Sequence, residues 1–345
     1  MKTIKMLLVI IGAGASFDSA ISKPVPPPEL LGISDRNRPP LANELFQERD
    51  AFRTAAHNHP HFMPIVHRLR LLNGRGVEEV LEEIAEEASA FSRRKIQLLA
   101  IRYYIKAAIQ DCTTKWLNDV DESTNYRVLL DLIQQFKCDA EPVVLVTFNY
   151  DCLLENALLH ELGYKFARID DYVASDLLFP LYKLHGSTDW ARFVRTTRAP
   201  SPELIAKAET LHYLEMVLKE DEAESHKDFG WAYVPAIAVP LQTKQTFECP
   251  KAHCDALQMC LPRVKKILTI GWRGLEGHFI KLLSDHLRGV QSLMTVSRGD
   301  ANQIAERLRS RLPNRAVEHM KLSVFEEGFS NFINQPSVIR SFLQG

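Results

Sequence analysis

The 345-residue chain lacks any charge bias: 42 Lys and Arg stand against 43 Asp and Glu, a net charge of -1 with the histidines neutral. That balance excludes a globally basic nucleic-acid binder, and no direct nucleic-acid contact is expected. Long apolar runs are also missing. The N-terminal run, Met6 to Ile11, falls far short of the roughly 18 residues that span a bilayer, and no other window reaches that length. A Gly-rich turn follows it in place of a small-residue cleavage pattern, so it is not read as a signal peptide. A soluble, cytoplasmic protein with no membrane contact is expected. Cysteine is sparse, 6 residues unevenly spread, which reads as free thiols in a reducing compartment. With 15 Gly and 18 Pro the chain is neither collagenous nor of low complexity. No internal repeat is visible. The apolar content, 46%, suffices for a packed core.

What is present alternates between two textures. Residues 6–11 form a continuous, β-branched apolar run that reads as a strand buried on both faces. Residues 12–16, Gly-Ala-Gly-Ala-Ser, turn the chain into a short helix, and residues 23–40 hold six prolines and cannot be regular structure. From 41 to 137 the periodicity is helical. Val77, Val80, Leu81, Ile84, Ala85 and Ala88 share one helix face, and the glutamates of that stretch read as its solvated side. Further helices are expected over 97–117 and 126–136. Beyond Pro142, buried strands are expected over 143–147, 181–184, 233–239, 267–270 and 293–296, with helices between most of them and one over 151–162 capped by Asp151. Strands alternating with helices predict an α/β fold: a Rossmann-like, doubly wound parallel sheet with a helical insertion after the first strand. The chain reads as a single domain over 1–345, with 1–40 and 138–345 as the core and 41–137 as the insertion.

Several strand ends carry residues suited to chemistry. Gly12 and Gly14 let backbone approach a ligand, and the following helix start offers amides to a pyrophosphate. Phe17 replaces the third glycine of the dehydrogenase fingerprint, so a tight strand–helix turn without a ligand is the competing reading. Asn149, in Thr147-Phe-Asn-Tyr-Asp151, can both donate and accept, and can hold ribose hydroxyls or a water. Asp151 is either part of that site or a helix cap. His185, in Lys183-Leu-His-Gly186, is suited to proton transfer at neutral pH, against the reading of a structural histidine. Gly271 opens a turn that can wrap an adenosine. Ser297 can contact a ribose, and Asp300 is expected to cap the next helix. Cys249, His253, Cys254 and Cys260 are the only cluster with metal-ligand chemistry. Their spacing does not give two paired-cysteine knuckles, so no metal is expected and ordinary buried thiols are.

Taken in order, Gly12 to Ser16, Thr147 to Asp151, Lys183 to Gly186 and the Gly271 turn resemble the sirtuin (SIR2) superfamily, and its bacterial SIR2-like branch more closely than its deacetylases. The resemblance implies a Rossmann-like site for NAD as substrate. Its site asparagine falls on Asn149 and its catalytic histidine on His185. Gly12, Ala13, Gly14 and Ser16 are the implied pyrophosphate site, with Asp18, Asp151, Gly271 and Ser297 as further cofactor contacts. Asp18 is expected near the nicotinamide. The deacetylase segment after the glycine motif is absent, residues 17–24 reading Phe-Asp-Ser-Ala-Ile-Ser-Lys-Pro, and so is the zinc module.

The chemistry this implies is cleavage of the nicotinamide glycosidic bond through an oxocarbenium-like transition state, giving nicotinamide and ADP-ribose when water is the acceptor. Two alternatives stand beside this NAD glycohydrolase: an NAD-dependent protein deacylase or ADP-ribosyl transferase, and a non-catalytic NAD or ADP-ribose sensor. Because free NAD hydrolysis would harm its host, restraint is expected from homo-oligomerisation, from closure of the 23–40 loop, or from a partner. The resemblance links such enzymes to anti-phage defence and to partners such as a HerA-type ATPase or an Argonaute-like protein, and the 41–137 block is a candidate assembly surface.

Overall fold

A computed structural model describes residues 6–26, 37–72, 74–137, 142–195, 205, 213–218, 231–241 and 246–345. Its centre is the strand β1 (Met6–Ile11), every residue of which is buried. Alternate side chains serve opposite faces: Leu7, Val9 and Ile11 enter one core, Met6, Leu8 and Ile10 the other. Burial on both faces is why the run is apolar throughout instead of alternating, each Leu, Ile or Val adding about 2 kcal/mol of transfer free energy.

Five more parallel strands flank it. They are β2 (Val143–Thr147), β3 (Leu181–Lys183), β7 (Val264–Ile270), β8 (Ser292–Val296) and β9 (Lys321–Phe325), and the order across the sheet is β3-β2-β1-β7-β8-β9. The chain therefore winds outward to one side of β1, returns, and winds outward to the other. This is the doubly wound dinucleotide-binding topology, with its switch point between β1 and β7. Strand β9 has no clear sequence signature, because as an edge strand most of it is exposed.

Between β3 and β7 lies a separate antiparallel sheet of β4 (Gly186–Arg195), β5 (Tyr213–Leu218) and β6 (Trp231–Ile237), in the order β5-β4-β6. The run over 233–239, expected in the parallel sheet, falls here. After β3 the chain continues directly into β4 through Gly186, whose φ of +80° only glycine adopts without strain, and it rejoins the parallel sheet at β7 after a helix over Lys251–Cys260.

Helix α1 (Ala13–Phe17) follows β1. The block after it comprises α2 (Asp50–Asn58), α3 (Met63–Arg70), α4 (Val77–Ala90) and α5 (Ser92–Asp119). These pack about their own core, where Tyr104 stacks on Phe62 at 4.2 Å and on Phe46 at 5.5 Å. The next helix, α6 (Asn125–Phe136), instead buries Tyr126, Leu129, Leu130, Leu132 and Ile133 in the core of the main sheet. The remaining helices are α7 (Leu153–Leu162), α8 (Lys251–Cys260), α9 (Gly277–His286), α10 (Ala301–Arg311), α11 (Asn314–Val317), α12 (Gly328–Ile333) and α13 (Pro336–Gln344). Among the described residues no helix is long and apolar enough to cross a membrane.

Of the 23–40 loop, residues 27–36 lie outside the described residues. Its two feet are tied by Arg38, whose guanidinium donates to the carbonyls of Phe17 (2.6 Å) and Lys23 (2.8 Å) and lies 4.7 Å from the Trp116 ring.

Candidate active site

Parallel pairing places every glycine, asparagine and histidine motif at one rim. Ile11 is opposite Thr147 and Ile270, Thr147 opposite Lys183, and Ile270 opposite Val296. Gly12, Asn149, His185, Gly271 and Ser297 each lie one or two residues past an aligned partner. In open α/β sheets ligands bind outside these carboxyl ends.

Asn149 is 7% exposed and fully oriented. Its Nδ2 donates to the Gly12 carbonyl at 3.0 Å and to Ser16 Oγ at 2.9 Å. A carbonyl only accepts, so the amide has one orientation. Ser16 Oγ is also 2.9 Å from Tyr126 Oη. The Asn149 backbone amide donates to Thr147 Oγ1 at 3.1 Å, and that hydroxyl donates to the Ile11 carbonyl at 3.2 Å. Asn149 Oδ1, by contrast, is buried without a hydrogen-bond partner among the described residues. Few buried polar atoms stay unmatched unless a ligand or water completes them.

His185 is half-buried at the end of the neighbouring strand, where the Leu184 amide donates to the Thr147 carbonyl at 3.0 Å. Its ring sits edge-on to Phe148 at 5.0 Å and near-parallel to His278 at 6.0 Å and Tyr150 at 6.5 Å. Phe148 stacks on Trp272 at 5.7 Å. Asn149 and His185 thus occupy neighbouring strand ends but lean on different neighbours: the amide on α1 and α6, the imidazole on the aromatic cluster. The structure adds Tyr126, Phe148, Tyr150, Trp272 and His278 to the residues singled out in the sequence. Tyr126 is 110 residues from Ser16, so no local pattern announces it.

The glycines serve close approach between two turns. Gly271 has φ +58°, and a Cβ there would lie 2.1 Å from the Ala15 nitrogen; a Cβ on Gly12 would lie 2.5 Å from the Gly271 oxygen. The Gly12 amide donates to the Ile270 carbonyl and the Gly14 amide to the Gly271 carbonyl, both at 3.0 Å. Those two amides are therefore engaged within the protein. Ala13 begins α1 between them.

Three other expected contacts also have internal tasks. Asp18 caps α12: its Oδ2 accepts from the Phe329 amide at 2.8 Å and its Oδ1 from Ser330 Oγ at 2.5 Å, with Arg298 at 3.3 Å. Asp151 Oδ1 accepts from the Leu153 amide at 3.2 Å, but the N-cap of α7 is Cys152, one residue later than expected, and the Asp151 carbonyl accepts from Lys183 Nζ at 2.6 Å. Ser297 Oγ donates to Asp300 Oδ1, so that carboxylate turns to Ser297 instead of capping α10 through its side chain.

Beneath the rim, Lys183 and Glu155 form a buried ion pair at 2.7 Å. Burial opposes charge on both; the Glu155 carboxylate nonetheless holds Lys183 above its ordinary value. Burial raises the neighbouring Cys152 thiol well above its ordinary range, which disfavours its thiolate. Among the described residues no group of three or more His, Cys, Asp or Glu gathers as a metal site. Cys249, Cys254 and Cys260 are half-buried, not fully buried as expected.

No family model matches the chain, and no curated protein matches it in sequence. It is similar in chain course to solved Sir2 structures. A Sir2 homologue in complex with NAD is 12% identical, with 99% of this chain and 92% of that one covered at a TM-score of 0.39. A mutant Sir2 homologue with 2'-O-acetyl ADP-ribose is 12% identical over 99% and 94% of the two chains, TM-score 0.42. Sir2Tm bound to a propionylated peptide is 10% identical over 98% and 94%, TM-score 0.41.

Proposed function

We propose that the protein is an NAD glycohydrolase, cleaving NAD to nicotinamide and ADP-ribose. The observation that carries this reading is Asn149: an amide locked through its nitrogen, with a buried acceptor oxygen lacking a hydrogen-bond partner among the described residues, at a strand end aligned with that of His185. The topology favours a nucleotide at this rim. On this reading a ribose lies across the two strand ends, between Asn149 and His185. Asn149 Oδ1 then accepts from a ribose hydroxyl or from the attacking water. His185 takes the proton that water or hydroxyl gives up. Nicotinamide is a cation before it leaves, so it needs no proton from the protein. What it requires is a fixed ribose and a nucleophile aimed at the anomeric carbon as charge develops there.

Restraint of this activity is assigned to assembly, through homo-oligomerisation or a partner such as a HerA-type ATPase or an Argonaute-like protein. That would suit an anti-phage defence effector acting by NAD depletion. The helical block carries an open hollow of about 370 Å³ lined by Pro64, Glu87, Phe91, Arg93, Arg94 and Gln97, with Phe91 62% exposed. A monomer in light scattering with full turnover and no additions would count against restraint by assembly.

The deciding experiment follows NAD by mass with wild type, Asn149→Ala and His185→Ala. ADP-ribose and nicotinamide from wild type with water alone, and almost none from either variant, is the expected outcome. Equal turnover in all three would reject the site. Cleavage only when an acylated peptide is added would replace hydrolysis with deacylation.

A further inference from the structure

Cys249 and Cys254 bring their sulfurs to 3.3 Å across the start of α8. Both side chains are half-buried, so a small thiol or disulfide can reach them. The Cys249 thiol beside it holds Cys254 below the ordinary thiol range, which raises its thiolate fraction. Cys112, fully buried, is pushed up to about 11 by burial, and no second sulfur lies near it among the contacts described.

What makes the pair more than two adjacent thiols is the segment that carries Cys249. The Glu248 amide donates to the Leu184 carbonyl at 2.9 Å, directly before His185. The Glu248 side chain is 3% exposed and pairs with Arg192 of β4. Phe247 lies 4.5 Å from the His278 ring, which in turn faces His185 at 6.0 Å. Cys254 sits in the first turn of a ten-residue helix, α8. Cys249 sits in the loop before it.

We propose that Cys249 and Cys254 form a reversible disulfide that acts as a redox switch on the His185 side of the rim. The chemistry is thiol–disulfide exchange. The Cys254 thiolate attacks a low-molecular-weight disulfide such as oxidised glutathione, releasing one glutathione thiolate and leaving a mixed disulfide. The Cys249 thiol, losing its proton to solvent, then displaces the second glutathione and closes the Cys249–Cys254 bond. Two protein thiols are oxidised and one disulfide is reduced. Closing the bond draws the sulfurs together from 3.3 Å. In the proposed switch that closure is carried through the 247–249 segment to Phe247, and so to its contact with His278, which faces His185. An intracellular disulfide of this kind is expected to be transient and regulatory.

The thiol chemistry stands on its own; only its effect on turnover rests on the reading of the rim as an NAD-hydrolysing site. The test equilibrates the full-length protein in glutathione buffers of graded oxidation, quenches with acid, alkylates and maps peptides by mass. A peptide joining Cys249 to Cys254, lighter by two hydrogens and restored by dithiothreitol, is expected, with Cys112 reduced throughout. Cys249→Ser should stop at a mixed disulfide on Cys254. In parallel, ¹⁵N-histidine spectra without NAD should show the ring signals of His185 and His278 shifting between the two forms, and Phe247→Ala should abolish the His278 shift. Turnover of the oxidised form should differ several-fold from the reduced form, and not at all in Cys249→Ser. Separate alkylation of both cysteines at every ratio would overturn the switch. So would a disulfide that leaves both histidine signals in place. A protein that cleaves no NAD yet passes the mass and ring tests would refute the hydrolase and leave the switch.

Discussion

Asn149 and Asp18 invite the same reading from sequence: a short polar side chain following an apolar strand and a turn. Both are buried, 7% and 4% exposed. Asp18 is complete within the fold, its two oxygens taken by the start of α12 and by Arg298. Asn149 is incomplete: its nitrogen donates twice, and its oxygen finds no hydrogen-bond partner among the described residues. A buried polar group whose partners are all internal holds structure together, whereas one left unmatched costs stability of roughly 1–3 kcal/mol that only a ligand or water recovers. The two residues therefore divide the rim into a closed half around Asp18, Arg298 and Ser297 and an open half around Asn149 and His185.

The seam between these halves is the contact of the β1 turn with Gly271, and breaking it gives the largest expected effect. Gly271→Ala places a Cβ 2.1 Å from the Ala15 nitrogen on a residue already at φ +58°. Backbone faces backbone there, so no side chain can swing away. Stability should fall by more than about 3 kcal/mol, read as a lost soluble yield or a collapsed denaturant midpoint. A variant with wild-type unfolding would show that the two turns do not in fact touch.

Next in size is the open half. Asn149→Ala should lower NAD turnover by about a hundred- to a thousand-fold, the usual cost of deleting one positioned polar group. Because Gly12 and Ser16 also lose a donor, the unfolding midpoint should fall modestly. Activity must therefore be referred to folded protein. Asp18→Ala tests the closed half. It should lose about 1–3 kcal/mol of stability through its cap and ion pair, with turnover per folded molecule near wild type. Should the two variants exchange these outcomes, with Asp18→Ala inactive and stable, the division of the rim would be reversed.

Much of this fold can be read from pattern, and the reasons are local. The run 6–11 is apolar on both faces because both are buried, and the same holds for 143–147. The carboxyl-end motifs are legible because strand ends impose glycine and short polar residues. Strand β9 is hidden because an exposed edge imposes no pattern. The antiparallel sheet is hidden because 233–239 is as apolar as a parallel strand and differs only in what it pairs with. In the site, Tyr126 and the Phe247–His278–His185 stack come from residues far apart in the chain. Asp18 is misleading for a related reason: its partners, Arg298, Phe329 and Ser330, lie 280, 311 and 312 residues further along the chain.

The smallest effect sharpens the boundary on the open side. Glu276 precedes α9, and its carboxylate accepts from the Trp272 indole nitrogen and from the Leu275 amide at 3.1 Å. Burial raises its carboxyl above the ordinary value of 4.5, and these hydrogen bonds only partly oppose that. A carboxyl raised in the folded state favours folding below its unfolded value. That contribution disappears as pH climbs through the higher folded value. Glu276→Gln keeps an acceptor for both donors and removes the titration. Relative to wild type, the variant should gain less than about 1 kcal/mol as pH rises from 4 towards 7, read as the difference between the two stability–pH curves. Parallel curves would mean that the Glu276 carboxylate is as well solvated as in the unfolded chain. The aromatic floor formed by Trp272 and Phe148 would then be open to water, and His185 would lose the enclosure on which its part in the proposed reaction depends.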